Sequence, residues 1–173
     1  MARALDQANI TGLAAHFPAT AEPSLARYEK AYEEHRYRVY ALAFWMTDSE
    51  MAAEEITSSV FARAFANGSI PAAQSLDRIL LSEIRDLMPI GVLRLSIAAS
   101  TEAASIRGNI KRVDLERAVV QLPPTERLIF LMHDVEAYDH PRIARTLGLS
   151  EQESQFGLHQ ARLRLRQLLA AKA

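Results

Sequence analysis

The stretch Leu122-Pro-Pro-Thr-Glu-Arg-Leu-Ile-Phe-Leu-Met132, followed by His140-Pro-Arg-Ile-Ala-Arg-Thr-Leu-Gly-Leu-Ser150, decides the fold of this chain. Its apolar residues recur at helical spacing, and Gly148 marks a short turn before a longer helix that continues past Arg166. Two helices joined by such a turn form a helix-turn-helix. This unit places its second helix in the major groove of DNA.

Composition limits the class of protein. The chain has 173 residues, of which 49% are hydrophobic, with a net charge of −1 and no cysteine. This length fits one domain or two small ones. Without cysteine there are no disulfides, thiolate metal sites or cysteine nucleophiles, and a reducing cytoplasm is the expected location. No apolar run reaches the ~18 residues of a membrane span, so no membrane partner is expected.

Helical periodicity predicts an all-α fold of two small helical domains joined by a linker. The first is a three-helix bundle and the second a four-helix domain that contains the helix-turn-helix. The predicted divisions are an N-terminal arm at 1–24, the bundle at 25–88, the linker at 89–112 and the C-terminal domain at 113–173. The predicted helices cover 25–46, 47–66, 74–88, 114–121, 124–135, 140–147 and 151–169.

Capping residues predict where several helices begin. Thr47-Asp-Ser-Glu50 and Ser150-Glu-Gln-Glu153 both read as capping boxes, in which a hydroxyl residue precedes a glutamate by three positions. Asp139 can cap the helix that starts at His140.

The last helix has two distinct sides. Leu158, Ala161, Leu165 and Leu168 fall on one face and are expected to pack on the preceding helices. The opposite face is expected to be readable and presents Glu153, Phe156, Gly157, His159, Gln160, Leu163 and Arg164.

Positive charge is concentrated in this C-terminal segment. From His140 onward the cations are Arg142, Arg145, Arg162, Arg164, Arg166 and Lys172, against only two glutamates. Such an asymmetry suits contact with phosphates. The alternative is an ordinary solvated helical face.

The chain resembles the extracytoplasmic-function branch of bacterial sigma factors. The promoter-reading domain of that family is matched by Leu122-Pro123-Pro124, Arg127, Phe130, Ile143-Ala144, Leu147-Gly148-Leu149-Ser150, Ala161-Arg162 and Leu165-Arg166. The N-terminal half is similar more weakly, at Tyr37–Ala43, Ala53–Ile56, Val60–Ala64 and Gln74–Leu87.

The resemblance implies that the chain binds core RNA polymerase and directs it to promoter double-stranded DNA. It also leaves room for an anti-sigma regulator as a partner. The residues implied to face polymerase are Glu54, Glu55, Ser58, Phe61 and Arg63. Those implied to face DNA are Arg142, Arg145, Glu153, Gln155, His159, Gln160, Arg162, Arg164 and Arg166, with Arg78 and Arg85 on the helix that would face melted DNA.

Several departures from the family favour a second hypothesis. Gln155, Gly157 and Gln160 stand where the family usually has basic residues, and Phe156 and Leu163 lie on the outward face. The helix implied to face melted DNA, at Gln74–Leu87, has few cations and no aromatic residue, although proteins that bind single-stranded DNA use both. The alternative is therefore a sigma-like interaction module, a decoy that binds polymerase or a regulator without opening promoters.

No motif points to an enzyme, and no cofactor is expected. The sequence lacks a P-loop, a G-x-S-x-G and a G-x-G-x-x-G. His133-Asp134 and Asp139-His140 could converge on a metal, but a structural role is the commoner one for isolated histidines near helix ends. We therefore expect no metal site.

Overall fold

The computed structural model describes residues 21–66, 68–91, 93 and 110–170, and every regular element in these ranges is helical. The helices are α1 (Ala21–Thr47), α2 (Glu50–Phe65), α3 (Ala73–Leu87), α4 (Arg112–Val120), α5 (Pro124–Phe130), α6 (His140–Leu147) and α7 (Glu151–Ala170). The prediction of an all-α fold is confirmed. Most of the predicted arm and linker lies outside the described residues.

The start of α2 differs from the prediction. Thr47 is the last residue of α1, and its hydroxyl donates to the Ala43 carbonyl at 2.8 Å. Ser49 is the N-cap instead, and its side chain accepts a hydrogen bond from the Ala52 amide at 3.3 Å. The cap lies two residues later because α1 continues through Thr47, and Asp48 turns the chain with a φ of 53°.

Helices α1, α2 and α3 pack into a bundle around a shared apolar core. Phe61 belongs to that core: it is only 4% exposed, and its ring lies edge-on to Tyr32 with centroids 4.8 Å apart. Phe61 therefore packs inside the bundle in this structure, and its contact with polymerase stays a prediction. The buried core positions are Val39, Leu42, Ala43, Met46, Ala53, Ile56, Val60, Phe61, Ala64, Leu76, Leu80, Leu81 and Ile84.

The helix-turn-helix forms with the predicted caps. Asp139 accepts a hydrogen bond from the Arg142 amide at 2.8 Å, and Gly148 ends α6 in the left-handed conformation with a φ of 72°. The capping box before α7 closes in both directions, from the Ser150 amide to Glu153 at 2.7 Å and from the Glu153 amide to Ser150 at 3.2 Å. The helix predicted over 124–135 is less regular, because its second half, Leu131–Val135, is π-helical.

The apolar side of α7 packs on α5, as its spacing predicted. Leu158, Ala161 and Leu165 are buried, whereas Leu168 is only partly buried. Gly157 is buried as well, and a Cβ there would lie 2.5 Å from Ile129 Cδ1. The prediction that Gly157 lies on the outward face is wrong, because α7 approaches α5 closely at this position.

The two bundles pack against each other. Helix α1 contacts α4 and α5, and α3 contacts α6. Apolar residues from both sides line one small cavity between the bundles: Leu42, Leu80, Leu81, Ile84, Leu128, Met132 and Leu147. Within the described residues, no helix is both long and apolar enough to cross a membrane.

Substitution of Gly157 tests the close packing of α7 on α5. We expect Gly157→Leu to lower the free energy of unfolding by about 1–3 kcal/mol, because the added side chain overpacks the contact with Ile129. Gly157→Ala should have a smaller effect, since the gain in helix propensity of about 1 kcal/mol offsets a clash with a terminal methyl group. Urea unfolding of both variants checks this. Gln152→Leu, at an exposed position of α7, is the control, and equal stability of Gly157→Leu and this control would contradict the packing.

Candidate nucleic-acid interface

The exposed side of α7 carries the side chains that could reach base edges. Gln155 and His159 are exposed, and Gln160 is half-buried on the same helix. Glu153 is also exposed, but its carboxylate accepts hydrogen bonds from the Ser150 amide and hydroxyl. The hydrogen bond from the Ser150 backbone holds the pKa of Glu153 below its usual value. Glu153 therefore serves first as a helix cap.

Two arginines of this segment are free of ion pairs. Arg145 on α6 and Arg166 on α7 are both exposed, and neither pairs with an acid among residues 21–66, 68–91, 93 and 110–170. Their guanidinium groups are available for phosphates without breaking an existing contact.

Arg162 is held by an acidic partner. It donates two hydrogen bonds to Asp134, from Nε at 3.0 Å and from Nη2 at 2.6 Å. Burial alone would raise the pKa of Asp134, but the hydrogen bonds from Arg162 and His133 hold it below its usual value. Arg162 is still about half exposed, so it lies at the surface in a fixed orientation.

Arg164 is drawn into the protein. Its Nε lies 2.8 Å from a carboxylate oxygen of Glu126, which is only 2% exposed. Burial raises the pKa of Glu126, and the charge of Arg164 opposes that shift. Removing Arg164 would leave a buried carboxylate without its cation. In this structure Arg164 therefore packs against Glu126, and its contact with phosphate stays a prediction.

Two further predicted DNA contacts lie between the bundles. Arg142 Nη2 donates to Asp77 of α3 at 2.9 Å. Arg85 Nη2, at the end of α3, donates to the Leu147 carbonyl at 2.7 Å. Arg78 is different, since it is exposed and donates a hydrogen bond to Ser75 of the same helix at 3.3 Å.

His133 and His140 do come together, as the metal hypothesis required. Their rings stack with centroids 4.7 Å apart. His133 Nδ1 lies 2.8 Å from Asp134, and His140 Nδ1 lies 3.0 Å from the buried Ser154 hydroxyl. Burial lowers the pKa of His140. In the described part of the chain, no group of three or more ligand side chains is arranged around a metal position.

A groove between α1 and α2 holds part of the predicted polymerase surface. Glu54 and Ser58 line it, and Glu55 is exposed nearby on α2. Arg63 is exposed too, but it forms an ion pair with Glu83. The groove has a volume of about 480 Å³, and its other lining residues are Tyr32, Arg36, Tyr37, Tyr40 and Thr57.

The aromatic lining of this groove was not predicted. Tyr37 is 69% exposed. The guanidinium of Arg36 lies over its ring, 4.2 Å from the centroid, and donates to its hydroxyl at 2.7 Å. The positions of Tyr37 and Tyr40 relative to the buried Val39 could have shown that Tyr37 points away from the core.

Comparison with known proteins agrees with this geometry. Residues 112–165, which include α4, α5, α6 and most of α7, match the family model for sigma-70, region 4. The fold is similar to that of the sigma factor RpoE, solved in complex with the anti-sigma factor NepR from Bartonella quintana. That likeness has a TM-score of 0.62 at 18% sequence identity and covers 82% of this chain and 96% of the other.

These findings bear out the resemblance that the helix-turn-helix motif suggested. Residues 112–165 thus correspond to a sigma-70 region 4 domain, and the fold of the chain is similar to that of a sigma factor.

Proposed function

We propose that this protein binds core RNA polymerase and directs it to promoter DNA for transcription initiation. The observation that carries the proposal is the geometry of α6, the Gly148 turn and α7. Caps at Asp139 and Ser150 fix both helices, and the leucine side of α7 is buried, so the side with Gln155 and His159 projects outward. This is the arrangement in which a recognition helix enters the major groove.

The proposed DNA contacts fall into two groups. Arg145 and Arg166 contact phosphates, since they are exposed and free of ion pairs among the described residues. Gln155, His159 and Gln160 lie toward base edges, where a glutamine can pair with adenine. Arg162 reaches the backbone only if it leaves or shares Asp134. With so few free cations, the affinity for DNA should depend only moderately on salt.

The proposed polymerase contact is the groove between α1 and α2. It combines acidic Glu54 with the exposed ring of Tyr37 and the guanidinium of Arg36. Aromatic and arginine side chains are enriched at the centres of protein interfaces. Glu55 and Ser58 extend the same surface along α2.

An anti-sigma protein is a further proposed partner. The similar sigma factor RpoE was solved bound to the anti-sigma factor NepR. The decoy hypothesis, by contrast, loses two of its supports. Gly157 is a packing position and not a lost phosphate contact, and Phe156 and Leu163 are half-buried rather than a bare apolar pair.

Transcription in vitro tests the proposed function. The protein is mixed with core RNA polymerase from its source organism, and transcripts are mapped on genomic fragments. We expect start sites that appear only when the protein is present. Binding of polymerase without any transcription initiation would contradict the proposal and favour the decoy hypothesis.

The phosphate contacts can be tested by salt dependence. We expect Arg145→Ala and Arg166→Ala each to weaken binding similarly across DNA sequences and to reduce the salt slope by about one, because each removes one phosphate contact. Fluorescence anisotropy at several salt concentrations measures this. Arg27→Ala on α1 is the control, since Arg27 is exposed and lies outside the helix-turn-helix. A slope equal to that of the control would exclude these contacts.

Charge reversal in the groove tests the polymerase surface. Glu54→Lys should weaken binding to core polymerase by about tenfold or more, because it replaces the carboxylate that the polymerase contacts with a cation. Binding can be measured by biolayer interferometry with immobilised polymerase. Glu29→Lys, an equal charge reversal at an exposed position of α1 outside the groove lining, should bind as the unmodified chain does. If both variants lose affinity equally, the groove is not the contact.

A further inference from the structure

A buried carboxylate joins the two helical bundles. Asp77 on α3 is 6% exposed and pairs with two arginines, Arg38 of α1 and Arg142 of α6. Its Oδ2 also accepts a hydrogen bond from the Tyr138 hydroxyl at 3.1 Å. Arg38 belongs to the same bundle as Asp77, whereas Arg142 and Tyr138 belong to the C-terminal half. The carboxylate therefore ties the halves together.

Tyr138 completes this contact. Its hydroxyl accepts a hydrogen bond from Arg38 Nη1 at 2.7 Å, and the Arg142 guanidinium stacks over its ring at 3.5 Å from the centroid. Burial raises the pKa of Tyr138 to about 12, so the hydroxyl stays a donor at neutral pH. The side chains of Arg38, Asp77, Tyr138 and Arg142 are named here the Asp77 latch.

A second contact between α3 and α6 lies beside the latch. Arg85 donates to the carbonyl of Leu147, one residue before the Gly148 turn. Each half thus contributes one arginine that the family resemblance assigns to DNA, Arg85 from α3 and Arg142 from α6. In this structure both arginines form hydrogen bonds between the halves.

The latch is incompletely satisfied. Arg38 Nη2 and Arg142 Nε are buried and have no hydrogen-bond partner in the described part of the chain. Buried donors without acceptors make a closed state less favourable than a fully paired one. Water or phosphate can satisfy the donors of Arg38 and Arg142 once the two halves separate.

We propose that the Asp77 latch is an autoinhibitory contact, which holds the two bundles closed and withholds Arg142 from DNA until they separate. The second part of this proposal, that the latch withholds Arg142 from DNA, rests on the proposed DNA-binding function. The first part, that the latch holds the bundles closed, does not. Separation replaces the Asp77 carboxylate by a DNA phosphate as the partner of Arg142. The exchange of one anion for another keeps the guanidinium paired in both states.

Two variants separate the parts of this proposal. Asp77→Asn removes the charge that holds Arg142 and leaves Arg142 present. Arg142→Ala opens the latch from the other side and leaves the Arg38–Asp77 pair in place. Glu83→Gln is the matched control, because it removes a carboxylate of α3 whose partners among the described residues, Arg63 and Ser59, both belong to the N-terminal bundle.

The distance between the bundles is measured first. The chain has no cysteine, so Met51→Cys on α2 and Gln152→Cys on α7 give two unique dye positions at exposed sites. We expect lower energy transfer for Asp77→Asn and for Arg142→Ala than for the unmodified or Glu83→Gln protein. Circular dichroism confirms that each variant remains helical. If Asp77→Asn loses its helices, the distance in Arg142→Ala decides.

DNA binding is measured next, on unlabelled full-length protein. Asp77→Asn should steepen the salt slope by about one relative to the unmodified chain, because Arg142 gains a phosphate. Arg142→Ala should not steepen the salt slope, because it has no Arg142 to contact a phosphate.

Unchanged energy transfer in both variants overturns the latch. Lower transfer with an unchanged slope in Asp77→Asn overturns the withholding of Arg142. If no form of the protein binds DNA, the proposed function fails, and the distances alone still decide whether the latch exists.

Discussion

The structure depends on Arg127, which joins the ends of two helices to a third. Its Nη1 donates to the Met46 carbonyl at the end of α1 at 2.9 Å, and its Nη2 donates to the Leu122 carbonyl at 3.0 Å and to the carbonyl of Val120, the last residue of α4. Carbonyls at the C-terminal ends of helices have no partner within the helix. A planar guanidinium with five donors can satisfy several of them at once, which an ammonium group cannot do with the same geometry. Burial lowers the pKa of Arg127, yet it remains charged at any physiological pH.

This arrangement explains why the Leu122–Phe130 motif is so specific. Pro123 and Pro124 start α5 without needing amide donors, and Arg127 then faces back toward the ends of α1 and α4. Leu128 and Ile129 on the same helix are buried, and Ile129 meets Gly157 of α7. The residues of this motif, which marks the DNA-binding half, therefore act by packing and by holding helix ends. The motif positions α7 but reads no base itself.

Much of the fold could be predicted because it depends on local rules. Asp139, Gly148 and the Ser150–Glu153 box fix their helix ends through contacts within four residues, and each formed as its sequence pattern predicts. The start of α2 was misplaced by two residues, because Thr47 and Ser49 are both competent caps and only the continuation of α1 decides between them.

The site was harder to predict because it depends on distant acids. An arginine on a helix looks the same in sequence whether its partner is a phosphate or a carboxylate. Arg162 pairs with Asp134, which lies 28 residues away in the sequence, and Arg142 pairs with Asp77, which lies 65 residues away. Arg164 pairs with Glu126. The count of cations from His140 onward therefore overstated the free positive charge; among residues 140–170, the arginines outside any ion pair are Arg145 and Arg166.

These three acids also differ in what they do with the arginine they hold. Glu126 is almost fully buried within the C-terminal half, so exchanging it for a phosphate would strand its charge. Asp134 is partly exposed, and water can solvate it if Arg162 leaves. Asp77 keeps a second cation, Arg38, when Arg142 leaves, so its charge stays paired in both states. Of the three ion pairs, the one between Asp77 and Arg142 is thus the one that both joins the two bundles and can release its arginine to DNA without leaving a buried charge alone. This is the physical reason to place the control of DNA binding at Asp77 rather than on α7 itself.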